Sequence, residues 1–276
     1  MSTVTISAAD VNKLRKQTGA GMMDCKKALM EANGDFDQAI DFLRKKGQKV
    51  AANRADRETN EGYILAKTND DATKGYLVGL SCETDFVAMS DDFTSFVSDL
   101  LDLVMTNNVT TADELKALPM GDVTVADKLL DMIGRIGEKI DIAALEVIEA
   151  PQVVVYIHPG NKVVSVVGMS TPNSGSAGKD VAMQVAAMKP VALDKDDVDS
   201  KTIEREIEVG KEQAREEGKP EAMLEKIAMG KLNKFYKENT LMNQQFIKED
   251  KMDVRTYLDK VEKGLTVKVF RRVQMG

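Results

Sequence analysis

The chain contains no Trp, and aromatic residues make up only 5% of it, so few rings are available to stack on bases. His occurs once, at His158, and Cys twice, at Cys25 and Cys82. One imidazole and two distant thiols give no metal-ligand pattern, no nucleophile–base triad and no disulfide framework. Neither a Gly-x-x-x-x-Gly-Lys-Ser/Thr phosphate loop nor a Gly-x-Gly-x-x-Gly turn is present. Acidic residues are abundant, but abundance alone makes no catalytic pair. The expectation is a protein without a cofactor and without covalent chemistry of its own. Long apolar runs are absent as well, and the first residues lack a charged segment leading into an apolar one. A cytoplasmic protein that does not engage a membrane is expected.

What is present is ordinary globular material: 276 residues, 43% hydrophobic and 30% charged. That length suffices for two or three cores, since single cores seldom grow past roughly 250 residues. The formal net charge of −7 argues against a general nucleic-acid binder, which needs clustered Lys and Arg. Met is plentiful at 16, and suits both irregular cores and adaptable contact surfaces. The count does not choose between them.

Residues 1–55 read as a three-helix bundle with a linker. Ser7 with Asp10 three positions on forms a capping-box pattern, and Gly19 stops the first helix. A second helix runs from about Met22 to Asn33 and is stopped by Gly34, and a third opens at Asp35 and closes near Gly47. Val11, Leu14, Ala28, Leu29, Phe36, Ile40 and Leu43 are spaced to share one small core. Residues 47–60 alternate Lys and Arg with Ala, Asn, Asp and Glu, without an apolar stripe. They read as a linker that lets the bundle move. Met22 and Met23 stand where a loop enters a helix, with Lys26 one turn on. Core filling and a solvated face account for these three residues, and so does contact with a partner.

A hairpin followed by a helix then occurs twice. Strands at 63–66 and 76–81 precede a helix from Asp91. Strands at 153–157 and 163–167, joined through Pro159-Gly160-Asn161, precede a helix at 177–188. Between them lie a helix with Leu129, Leu130, Ile133 and Ile136 on one face and a strand at 140–148. The pattern predicts an α+β fold of two related subdomains with antiparallel sheets, at 56–145 and 146–276. Residues 198–239 insert two helices around Gly218-Lys219-Pro220, with Ile203, Ile207, Ala214, Met223, Leu224, Ile227 and Leu232 as an apolar seam. A projecting antiparallel coiled-coil hairpin is expected. Its like-charge pairs at i,i+4, Glu204 with Glu208 and Lys211 with Arg215, add little local support. Leu265, Val267 and Val269 alternate as a last strand that joins the second hairpin.

The chain is organised around residues 80–88. Tyr76, Val78, Leu80 and Cys82 alternate as a strand, and Ser90 can cap a helix whose Phe93, Phe96, Val97, Leu100, Leu101 and Val104 share a face. Thr84, Asp85, Phe86 and Val87 therefore fall where a strand ends and a helix has not begun. Phe86 either folds back into the core or is presented beside the Asp85 carboxylate. His158, at the end of a strand, reads from its position as a hydrogen-bonded turn residue.

Cys82-Glu83-Thr84-Asp85-Phe86-Val87-Ala88 resembles a signature of the bacterial elongation factor Ts family. Thr18-Gly19-Ala20-Gly21-Met22-Met23-Asp24-Cys25-Lys26-Lys27-Ala28-Leu29 resembles a second, and Ile136-Gly137-Glu138-Lys139-Ile140-Asp141-Ile142 a third stretch. Both signatures stand in the family's order, and the chain is identified as a member of it. The resemblance implies a ubiquitin-associated-like bundle at the N-terminus and a guanine nucleotide exchange factor for elongation factor Tu. Such a factor binds Tu in its GDP-bound and nucleotide-free forms, and releases GDP by disturbing the Mg²⁺ and phosphate site. It implies that Thr84, Asp85, Phe86 and Val87 act near the support of that ion. It also implies that Met22, Met23, Lys26 and His158 touch the partner, with no direct role for nucleic acid. Some family members self-associate through the helical arm, so a homodimer through core or coiled coil stays open. Gln184 stands where the family commonly has His, so whatever that His does by charge is not expected here. A further C-terminal helical module of some relatives has no counterpart up to Gly276, and its contact is not carried over. The alternative is a ubiquitin-associated-type adaptor without exchange activity, which leaves everything after residue 55 without a purpose.

Overall fold

The computed structural model of the chain describes residues 5–276, and it opens with three helices whose ends follow local chemistry. They are α1 (Ala8–Thr18), α2 (Met22–Glu31) and α3 (Phe36–Asn53). The Ser7 hydroxyl accepts the Asp10 N–H at 3.1 Å while the Asp10 carboxylate accepts the Ser7 N–H, the expected capping box. Gly19 adopts φ 69° and donates its N–H to Arg15 O, closing α1. Val11, Leu14, Cys25, Ala28, Leu29, Ala32 and Ala39 are buried together, with Phe36, Ile40 and Leu43 packed around them.

The first half of the core follows as β1 (Glu61–Thr68), β2 (Lys74–Cys82), the single turn α4 (Asp85–Ala88), α5 (Asp91–Asn107) and α6 (Ala112–Ala117). A two-residue ladder of β3 (Pro119–Met120) and β4 (Val123–Thr124) leads into α7 (Val125–Ile136) and β5 (Asp141–Glu149). The second half holds β6 (Gln152–Ile157), β7 (Val163–Met169) and α8 (Ala177–Met188). Then come α9 (Ser200–Glu216), α10 (Glu221–Asn239), β8 (Gln245–Phe246), β9 (Glu249–Asp253), α11 (Val254–Val261) and β10 (Val267–Gln274). The two larger sheets are antiparallel, in strand orders β1-β2-β5 and β10-β7-β6. The fold is α+β, and each sheet carries one helix of the repeated hairpin-plus-helix unit.

Strand β2 is buried on both faces, where its alternation requires only one. Tyr76, Val78, Leu80 and Cys82 pack on Phe93, Val97, Leu100, Leu101 and Val104 of α5. On the other face Leu77, with Ile64 and Ala66 of β1, meets Val153, Val164 and Val166 of the second sheet and Met275. The two sheets thus share an apolar interface, and each fully buried Leu or Val there is worth about 1.5–3 kcal/mol.

The third helix does not close at Gly47. It runs six residues further, to Asn53, because Gly47 is buried against α7. A Cβ there would lie 2.4 Å from the Leu130 carbonyl oxygen, and one on Gly134 would lie 3.0 Å from the Gly47 Cα. Two glycines thus let the helix backbones approach, and α3 continues past a residue that local propensity reads as a stop. Val50 and Ala51, expected in a linker, are packed on the first core cluster instead.

The arm forms as an antiparallel helix pair turned by Gly218 at φ 72°. Gly210, Ala214, Leu224, Ala228 and Leu232 are its buried residues, with Gly210 and Ala228 in close contact, while Met223 of the expected seam is exposed. Ion pairs cross between the helices, Lys211 to Glu225 at 2.6 Å, Arg215 to Glu221 at 3.1 Å and Lys231 to Glu217 at 3.3 Å. Being exposed to solvent, these pairs add little to stability and serve mainly to set how the two helices lie. The arm's two roots meet, since Val191 N–H donates to Asn239 O and Leu241 N–H to Ala192 O. Replacing residues 200–238 by a short Gly-Ser turn is therefore expected to leave a core that still melts cooperatively by circular dichroism. Sedimentation of the two forms then reads the arm's second role. A mass per particle that falls only by the deleted residues shows that the arm is not an oligomer contact.

Candidate partner-binding site

Strand β2 ends at Cys82, and the corner that follows is held by two carboxylates. Glu138 Oε2 accepts both the Glu83 and the Thr84 N–H at 3.1 Å, and its Oε1 accepts the Thr84 hydroxyl at 2.7 Å. Glu83 reaches the opposite way. Its carboxylate accepts the Arg54 guanidinium at 2.8 Å and the Lys139 N–H at 2.7 Å. Burial alone would raise the Glu83 pKa, but the Lys139 amide and Arg54 outweigh it and hold the acid below its ordinary range. Lys139 Nζ in turn donates to Ala55 O and Arg57 O, so the chain leaving α3 is tied to the same corner. The Cys82 thiol, pushed up to about 12 first by burial and then by Glu138, stays protonated and donates to Thr84 O.

On this corner stands the single turn α4. Phe86 is 81% exposed, so of the two readings its ring is presented and not folded into the core. Asp85 beside it is exposed, and Met89 adds a second apolar side chain one turn on. Val87 lies half-buried against the first core cluster, and Ala88 is buried. Ser90 occupies the cap position of α5, but its hydroxyl donates back to Val87 O at 2.8 Å rather than capping α5.

The turn of the second hairpin comes to the same end of the core. Asn161 O accepts the Ile64 N–H at 2.8 Å, and Lys162 pairs with Glu61, which is opposite Cys82 in the ladder. The Lys162 pKa is raised first by its hydrogen bond to Glu61, with the Asp85 charge contributing. His158 is the hydrogen-bonded turn residue its position suggests: its N–H donates to Val163 O and its O accepts from Asn161 N–H. Its ring is exposed, with Nδ1 3.0 Å from the Tyr156 hydroxyl.

Met22 and Met23 are 55% and 73% exposed, so neither fills the bundle core, and Lys26 is exposed too. Met30, at 59%, continues the same face at i+8 from Met22. The i, i+4, i+8 spacing of Met22, Lys26 and Met30 is the signal that would have found it. This face is distinct from the corner at 83–86 but joined to it through α3. Asp24 pairs with Lys46 at 2.6 Å, and Arg54, roughly 12 Å further along the helix axis, holds Glu83. Among the described residues no cluster of His, Cys, Asp and Glu suits a metal ion, and no helix is long and apolar enough to cross a membrane.

The sequence model of a family described as "Elongation factor TS" matches residues 83–276. Proteins named Elongation factor Ts align over almost the whole chain. That of Cytophaga hutchinsonii is 53% identical over 99% of both chains, and that of Christiangramia forsetii 52% over 98% of this chain and 99% of its own. The Amoebophilus asiaticus protein is 50% identical over 99% of this chain and all of its own. The chain belongs to the elongation factor Ts family.

In this elongation factor Ts family member Gln184 works inside the fold. It is fully buried. Its Nε2 donates to Gln244 Oε1 at 3.2 Å and Gln245 O at 3.0 Å, and its Oε1 accepts the Ile247 N–H at 2.9 Å. An uncharged amide with both ends satisfied ties α8 to the β8 segment and adds no surface contact.

Proposed function

We propose that this elongation factor Ts family member is a guanine nucleotide exchange factor, which binds GDP-bound elongation factor Tu and speeds release of the nucleotide. The observation that carries the reading is an exposed Phe86 ring beside the Asp85 carboxylate, on a turn whose base is braced from two sides. A large ring held out in water is poorly placed for folding and well placed to enter a partner. Thr84 and Val87 complete the stretch at the base of that turn, and Met22, Met23, Lys26 and His158 add contacts elsewhere.

The mechanism follows from linkage. A factor that weakens GDP binding to Tu must itself be bound less tightly by Tu carrying GDP, by the same ratio. Mg²⁺ bridges the phosphate oxygens to a GTPase, so a wedge that shifts the ion's supporting helices leaves phosphate charge uncompensated. No covalent bond is made or broken.

The test is stopped-flow release of a fluorescent GDP from elongation factor Tu at several Mg²⁺ concentrations. Release should accelerate with added factor and depend less on removal of free Mg²⁺ when the factor is present. An adaptor would leave the release rate unchanged and would capture partners indifferently to GDP. In the same assay Lys26→Ala is expected to slow stimulated release at least about threefold while the melting point stays put, since exposed changes usually stay within ~0.5 kcal/mol. Loss of stability with normal exchange would make Lys26 a structural residue.

A further inference from the structure

A one-turn helix cannot hold itself. Nucleating a single turn is unfavourable, and α4 spans only four residues. Its most apolar side chain, Phe86, points into water, so burial anchors it only through Val87 and Ala88. Ser90 holds the far end of the turn through Val87 O, and residues 83 and 84 at its base set where Asp85 and Phe86 start.

There, two successive backbone N–H groups converge on one oxygen of Glu138, an arrangement that binds an anion well. The other oxygen takes the Thr84 hydroxyl, so one side chain 54 residues away holds three donors of the corner. Glu138 is aimed by its own neighbour. Gly137 ends α7 at φ 81°, a left-handed conformation that lets the chain turn at once toward the corner. Charge-assisted bonds of this kind are stronger than neutral ones, and half-buried they are less screened by water.

We propose that Glu138 is a positioning residue for nucleotide exchange: it touches no partner atom, but holds residues 83–84 so that Asp85 and Phe86 are presented already ordered. This rests on the exchange-factor reading. Without the carboxylate the corner must be ordered during the encounter, and that entropy opposes the step in which the wedge enters. The bundle's contacts do not pass through Glu138, so affinity should suffer less than rate.

The experiment titrates the full-length chain against elongation factor Tu loaded with fluorescent GDP, using wild type, Glu138→Ala and Glu138→Gln. Glu138→Ala should lower the maximal release rate about tenfold, with the half-saturating concentration moving less than threefold. Glu138→Gln should recover to within about threefold of wild type. Its carbonyl can accept the two N–H groups, and its NH₂ can donate to the Thr84 oxygen. A purely structural role gives another signature: a partly unfolded population shifts the half-saturating concentration and leaves the maximal rate intact. Should Glu138→Ala fail to fold, Glu138→Asp keeps the charge but withdraws the carboxylate by about one C–C bond, and its maximal rate should fall as well. A folded Ala or Asp variant with the wild-type maximal rate overturns the proposal while the exchange-factor reading stands. A wild-type chain that does not accelerate release overturns that reading, and the proposal with it.

Discussion

Asp85→Ala combined with Phe86→Ala is expected to slow stimulated GDP release at least about tenfold, the effect of ~1.4 kcal/mol, while the chain melts at its wild-type temperature. The two halves of this result have separate causes. Aromatic anchors at interfaces commonly cost roughly 2 kcal/mol or more when truncated, so the exchange loss is large. Folding is spared because neither side chain is buried and Asp85 makes no hydrogen bond within the chain with its carboxylate among the described residues. A buried Phe would instead cost about 3 kcal/mol or more of stability on truncation. Stopped-flow release and a melting curve on one variant are enough. Unchanged exchange by the well-folded double variant would remove residues 85 and 86 from the mechanism.

The second large effect concerns the joint between bundle and core, and its sign is the test. In an exposed helix Gly→Ala stabilises by up to about 1 kcal/mol. Gly230, in α10, has open space around its Cα, and Gly230→Ala should behave in that way. Gly47→Ala should do the opposite. The new methyl meets the Leu130 carbonyl oxygen at 2.4 Å, and backbone on both sides leaves little that can move cheaply. Overpacking of this kind costs about 1–3 kcal/mol. Thermal melts of both variants check the pair. Stabilisation by Gly47→Ala would mean that α3 and α7 are not packed as described.

These two sites also mark where sequence reading succeeds and stops. Helix starts at Ser7 and Asp35, and the apolar face of α5 from Phe93 to Val104, are set by neighbours within a few residues, so local pattern finds them. The signature at 82–88 was legible as a motif, and its place between strand and helix was legible as periodicity. Gly47 reads as a stop by local propensity, yet glycine also admits a neighbouring helix, and only α7, about eighty residues on, decides which. Phe86 was ambiguous for the same reason, since nothing within the motif says whether a ring turns in or out. The bonds from Glu138 to Thr84 and from Gln184 to Gln244 and Gln245 join residues more than fifty apart, and no local rule pairs them. The second buried face of β2 depends on a sheet formed from residues beyond 150. Met30 was different: its spacing from Met22 and Lys26 was in plain view.

The meeting of the arm's two roots bears on the speed of folding. Strand β10 must find β7 across a long stretch of intervening chain, Val267 pairing with Met169, and non-local pairings of this kind are slow to form. The helices α9 and α10 need only each other and can close early, bringing Ala192 beside Thr240. Once they do, the loop that remains is shorter by the whole arm, roughly a halving, which lowers the closure cost by about 0.6 kcal/mol. The arm thus acts within its own chain as a local clasp, which shortens the search for the strand that completes the second sheet.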